Sequence, residues 1–170
     1  MKKIIFSLLV FGFGLAIQSF AQIKTEKLSE VVISTTNYKY LNKVGLTNAS
    51  IPVALLEQKV ASFNLKDADF YSDEYDLYDV SFYIPEGYIL ASYDKDGNIL
   101  RTAEKFKDVA LPRAVIESVA KTYPNWSFTK SVYLVSYHDA SGKINKKYKI
   151  VLKNGDKRIR IKVDPEGNIL

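Results

Sequence analysis

The sequence predicts an α+β fold built as a tandem repeat, in which a helix followed by an antiparallel, roughly four-stranded meander sheet occurs twice, each helix packed on one sheet face. Three observations carry this. Tyr78–Leu100, YDVSFYIPEGYILASYDKDGNIL, lies over Tyr148–Leu170, YKIVLKNGDKRIRIKVDPEGNIL, without a gap. In each half the hydrophobic period changes from that of a helix to two. Both halves close on Asp-x-x-Gly-Asn-Ile-Leu. Self-similarity of this kind marks a repeated structural unit.

Taken in order, Met1-Lys2-Lys3 precedes a short apolar run that stops at Ser19-Phe20-Ala21. Small residues at the two positions read by signal peptidase predict a signal peptide over 1–21, cleaved after Ala21. A periplasmic or secreted location is expected, with no stable membrane span after cleavage. Loss of Lys2 and Lys3 lowers the net charge from +5 to +3, too mild an excess for a nucleic-acid binder. Without cysteine there is no disulfide framework and no thiolate chemistry. Residues 22–48 have no counterpart in the second half and are expected as a Lys- and Asn-rich lead-in, with Val31-Val32-Ile33 as a short strand.

The two units are predicted over 49–108 and 109–170. Pro52 and Pro112 suit a first helical turn, where the missing N–H costs nothing. Leu55, Leu56, Val60 and Phe63 make one stripe, and Val115, Ile116, Val119 and Tyr123 the other, before Pro124 stops the helix. A first strand is expected over FYSDEYDLY in one unit and over Trp126, Phe128 and VYLVSY in the other. Two further strands follow, turning at Pro85-Glu86-Gly87 and at Asn154-Gly155-Asp156. Val80, Phe82, Ile89, Ala91 and Tyr93 should face inward, as should Ile150, Leu152, Ile159, Ile161 and Val163.

A helix opening on Leu/Ile-Pro, one ending near Tyr-Pro, then Tyr-x-Ile/Val-x-Leu/Phe and a closing Asp-x-x-Gly-Asn-Ile-Leu resembles the PepSY-like, β-lactamase-inhibitor-protein-like (BLIP-like) family of secreted bacterial proteins. The match spans both units and is densest in Leu111–Leu170. The resemblance implies tandem helix-plus-four-strand units, an extracytoplasmic location, no enzyme activity, and protein binding or inhibition; no cofactor is expected. No inhibitory residue carries over, because no matching inhibitory loop is present.

Catalytic patterns are poor. His138 is the only imidazole, and no Gly-x-Ser-x-Gly or phosphate loop occurs. The dense acids Asp67, Asp69, Asp73, Glu74, Asp76, Asp79 and Glu86 read as solvated strand and loop; a hydrolase using them is an alternative that requires a concave pocket gathering several carboxylates. The outward strand positions are more informative. Tyr83, Tyr88 and Leu90 form an apolar group in the first unit, and Lys149, Lys153, Arg158, Arg160 and Lys162 a cationic group in the second. Tyr and Arg often anchor protein interfaces, so an extracytoplasmic protein partner is expected there, with an anionic ligand as a further occupant. A periplasmic small-ligand or cation-binding role is the other alternative. The metal-like run Asp94-Lys95-Asp96-Gly97-Asn98 places Ile99 where a calcium loop needs Gly and Lys105 where it needs Glu. It therefore reads as a hairpin turn, and no metal ligand is assigned.

Overall fold

The computed structural model describes residues 37–45 and 49–170. The expected signal peptide and the strand at Val31–Ile33 lie outside them. In chain order the elements are α1 (Tyr38–Val44), α2 (Ile51–Ala61), β1 (Leu77–Ile84), β2 (Gly87–Asp94), β3 (Ile99–Lys107), α3 (Arg113–Thr122), β4 (Ser127–His138), β5 (Lys143–Asn154) and β6 (Lys157–Val163). No helix among the described residues is long and apolar enough to cross a membrane.

The six strands form one antiparallel sheet in the order β1-β2-β3-β4-β5-β6. The expectation of two sheets of about four strands is therefore corrected: each unit contributes three strands to a shared sheet. The joint is the β3–β4 pairing, from Arg101 opposite His138 to Lys107 opposite Val132. Asp108 makes the splice in a left-handed conformation, φ 51°. Its N–H donates to Ser131 O at 3.0 Å, and its Oδ1 accepts from Ser131 N at 2.7 Å.

The expected first strand over residues 70–78 is also corrected. That stretch is turns, and the strand begins only at Leu77. Phe70, Tyr71 and Tyr75 gather instead around the Tyr78 ring, with centroids 5.6 to 6.5 Å away, and the Tyr78 hydroxyl donates to Ser72 O. Aromatic clustering takes the place of strand pairing here.

Inward positions follow the period of two. Phe82, Ile89, Ala91, Tyr93, Ile150, Leu152, Ile161 and Val163 are buried; Val80 and Ile159 pack against them, partly exposed. The helices cover this face with Val53, Leu56, Val60 and Ala61 from α2 and Val115 and Val119 from α3. Two predicted core positions are corrected: Leu55 and Ile116 are 60% and 44% exposed. In α2 the buried arc is rotated to include Glu57, which swings Leu55 to the outside.

The lead-in is more than a lead-in. Within it α1 buries Tyr40 and Val44 in the core. Asn37 receives Ile99 N–H at 2.9 Å and donates to Gly97 O at 3.0 Å. Lys146 Nζ donates to Val44 O at 2.9 Å, and Lys39 meets Asp139 at 2.6 Å.

The Asp94 and Asp164 segments adopt matching turns. In each the Asp N–H bonds to the Asn carbonyl, and the Asn N–H and side-chain amide bond to the two carboxylate oxygens at 2.7 to 2.8 Å. Gly97 and Gly167 take φ 84° and 95°, where a Cβ is costly. After the second turn Ile169 makes only a single bridge, to Val163, whereas Ile99 starts β3.

Candidate functional site

All eight sequence-assigned residues lie on the sheet face opposite the helices. Cross-strand register fixes this, because side chains directly opposite share a face. One row runs Tyr83–Tyr88–Lys105–Leu134–Lys147, and the next Ser81–Leu90–Ala103–Ser136–Asn145. Toward the other end, Val132, Lys149 and Lys162 share a row, as do Lys130, Val151 and Arg160, and then Ser127, Lys153 and Arg158. The two candidate groups, which sequence alone left on separate sheets, thus occupy one continuous surface.

Its two ends differ. At the β1–β2 end the Tyr83 and Tyr88 rings lie 5.9 Å apart, tilted by 44°. Tyr83 is 70% exposed, a large uncovered aromatic. Asp79 accepts from the Ser92 hydroxyl and pairs with Arg101 Nη2 at 3.8 Å. On the β4–β6 half every charged open-face position is a cation. Among the described residues none of Lys130, Lys149, Lys153, Arg158, Arg160 or Lys162 is in an ion pair. Two concavities indent the face. One, of about 400 Å³, lies over β2–β5 and is lined by Tyr88, Lys105, Leu134, Ser136 and Lys147. The other, of about 440 Å³, is lined by Thr129, Lys130, Val151, Arg158 and Arg160. A bulge between Phe128 and Lys130 shapes the second by offsetting β4 from β5.

The acidic residues do not converge. Asp67, Asp69, Asp73, Glu74 and Asp76 are spread along the turns after α2, Asp79 sits on the open face and Glu86 in the β1–β2 turn. Asp139 is held by the Tyr137 hydroxyl at 2.8 Å and by Lys39. Those bonds lower its pKa and commit it away from His138.

Sequence reasoning missed a polar cluster inside the core. Glu57 from α2 and Glu104 from β3 are 1% and 2% exposed. Glu104 Oε1 accepts from Tyr40 Oη at 2.9 Å and from Thr102 Oγ1 at 2.8 Å. Glu57 Oε1 and Glu104 Oε2 have no donor among the described groups, yet the two carboxyls lie within hydrogen-bonding reach of each other. The carboxyl of this pair that keeps its proton becomes a hydrogen-bond donor. Burial, reinforced by Glu104 and opposed by Lys146, pushes Glu57 up to about 8. Burial also raises Glu104, against the hydrogen bonds it accepts. A signal was present: Glu104 alternates with Thr102 and Phe106 on the inward side, and Glu57 stands between Val53 and Val60 on the covered arc.

No protein-family model matches the chain, and no curated protein matches it. Among solved structures it is similar to a DUF2874 family protein from Bacteroides uniformis ATCC 8492, at 14% identity and TM-score 0.36, over 59% of this chain and 71% of that one. It is similar also to a BLIP-like protein from Bacteroides fragilis NCTC 9343, at 14% identity and TM-score 0.29, over 56% of this chain and 73% of the other.

Proposed function

We propose that this protein is an exported, non-catalytic binding module that holds another extracytoplasmic protein, in the manner of an inhibitor, on the open face of its sheet. The observation that carries this reading is the continuity of that face across all six strands, with the helices on the opposite side. Six strands about 4.8 Å apart, over about seven residues, span roughly 24 by 24 Å. That approaches the ~800 Å² per partner of a standard interface. Tyr83, Tyr88 and Leu90 supply exposed apolar area at one end, and Arg158 and Arg160 supply planar donors at the other; aromatic and Arg side chains are the usual anchors of such contacts. The dispersal of the acidic residues and the commitment of Asp139 to Tyr137 and Lys39 support a role without catalysis.

The test is a pull-down with the tagged protein from an extracytoplasmic extract, repeated with Tyr88→Ala and Arg160→Ala combined. Both positions are solvent-exposed, so the fold should survive. The expected result is a partner retained by the native face and lost by the double variant. A partner set unchanged by the double variant refutes the assignment of this face.

A further inference from the structure

Like charges stand directly opposite each other on the open face, at Lys149 with Lys162 and at Lys153 with Arg158. Such cross-strand pairs oppose folding. Charges on an edge strand guard against aggregation, which accounts for Arg158, Arg160 and Lys162 on β6. It does not account for Lys149 and Lys153, because β5 is an interior strand between β4 and β6. The other half of the face shows the ordinary solution, with Arg101 balanced by Asp79. The uncompensated cations also surround a groove, lined by Thr129, Lys130, Val151, Arg158 and Arg160.

We propose that this groove and the cations beside it form a carboxylate-binding subsite that takes an extended, glutamate-bearing segment of the partner protein. The proposal rests on the reading of the open face as a protein-docking surface and names the chemistry of what docks. The spacing is commensurate. Arg158, Arg160 and Lys162 recur every second residue along β6, about 6.8 Å apart. An extended peptide with Glu at alternate positions repeats its carboxylates at the same interval when laid along that strand. Arg158 and Arg160 offer the fork geometry that grips a carboxylate with two N–H donors; the Thr129 hydroxyl is committed to Val151 O at 2.9 Å, which leaves the arginines and Lys130 as the donors of the groove. Val151, in the row between Lys130 and Arg160, meets the methylene stem of a glutamate with a methyl group. A sulfated or phosphorylated polymer would answer the charge but leave Val151 without a partner.

The experiment titrates the protein into a fluorescent octapeptide of alternating Glu and Thr, with a Gln-for-Glu peptide as control, and reads anisotropy at low and moderate salt. Saturable, salt-weakened binding of the Glu peptide alone is expected. Arg158→Gln and Arg160→Gln should each weaken it at least fivefold, while Lys121→Gln, exposed at the end of α3 and away from the open face, leaves it unchanged. Equal affinity for the Gln peptide, or indifference to both arginine variants, overturns the subsite. So does a sulfated polysaccharide or inorganic phosphate that binds the same groove more tightly than the peptide. Both arginines are exposed, and an unchanged melting temperature of each variant certifies its fold. If the peptide fails to bind while capture of a partner still depends on Tyr88, the subsite falls and the docking face stands. If capture ignores both ends of the face, the docking reading falls as well.

Discussion

Replacing Glu57 with glutamine interrogates the carboxyl pair beneath α2. In the folded protein the pair retains a proton at a pH where the unfolded chain has released it, because burial raises Glu57 from 4.5 to about 8. A carboxyl raised on folding costs nothing below its unfolded value. It removes stability as pH climbs through the window between the two, and the loss levels off above the folded value. With one proton of difference the slope is about 1.4 kcal/mol per pH unit. From about pH 5 to about pH 8 that amounts to about 4 kcal/mol, a large share of the ~5–15 kcal/mol that holds a domain together. Glu57 is 1% exposed, so solvent does little to screen the effect. Asp139 is lowered on folding and loses its contribution only at acid pH, outside the window. In the Glu57→Gln variant the new amide can donate to Glu104 and keep the contact without titrating. Urea unfolding at about pH 5, 6.5 and 8 should show native stability falling with pH. Glu57→Gln should fall less than half as steeply and be the more stable protein at the alkaline end. A native protein equally stable at both ends of the range, or a slope shared by the variant, refutes the proton retained on folding.

Three further outcomes are expected. Gly167→Ala must hold φ 95° and bring its Cβ to 2.6 Å from Ala114 O, whereas Gly155→Ala, at φ 57°, meets nothing within 4 Å. The first should cost about 3 kcal/mol and the second about 1 kcal/mol, read from urea midpoints; equal losses would show that the turn does not press on α3. Lys153→Glu turns a like-charge pair with Arg158 into an opposite-charge one and should stabilise the fold by about 0.2–1 kcal/mol while abolishing binding of the glutamate peptide; an unchanged urea midpoint would count against the first, and unchanged peptide affinity in anisotropy against the second. Millimolar calcium should leave the melting temperature unchanged, since the Asp94 and Asp164 carboxylates are engaged by their own turns; a rise of several degrees would restore the metal reading.

Much of the strand pattern was legible because a period of two specifies which side chains share a face. Phe82, Ile89, Leu152 and Val163 went inward, and Tyr88 and Arg160 outward, from alternation alone. Alternation carries no information on which strand pairs with which across a long connection. The register of Arg101 with His138, which joins both halves into one sheet, was therefore not readable. The FYSDEYDLY stretch misled because its aromatics mimic a strand while its polar residues dictate turns around Tyr78. In α2 the apolar residues spread around the helix, so Leu55 could not be ranked above Glu57 for burial until the sheet opposite was known. The short helix α1 was missed because its anchoring partners, Ile99, Glu104 and Lys146, are all remote in sequence.

The strict chain order of the sheet bears on how the molecule comes into being. Every strand pairs with its neighbours in sequence, and four of the five pairings are hairpins closed by short turns, the kind of event that takes ~1–10 μs. Only the β3–β4 seam must wait for residues 108–126 to bring the two halves together. Two three-stranded ribbons can therefore form independently, and the seam is where folding becomes a search. Asp108, locked to Ser131 by two hydrogen bonds at that point, is placed to set the rate. Its replacement by alanine should slow refolding more than it speeds unfolding.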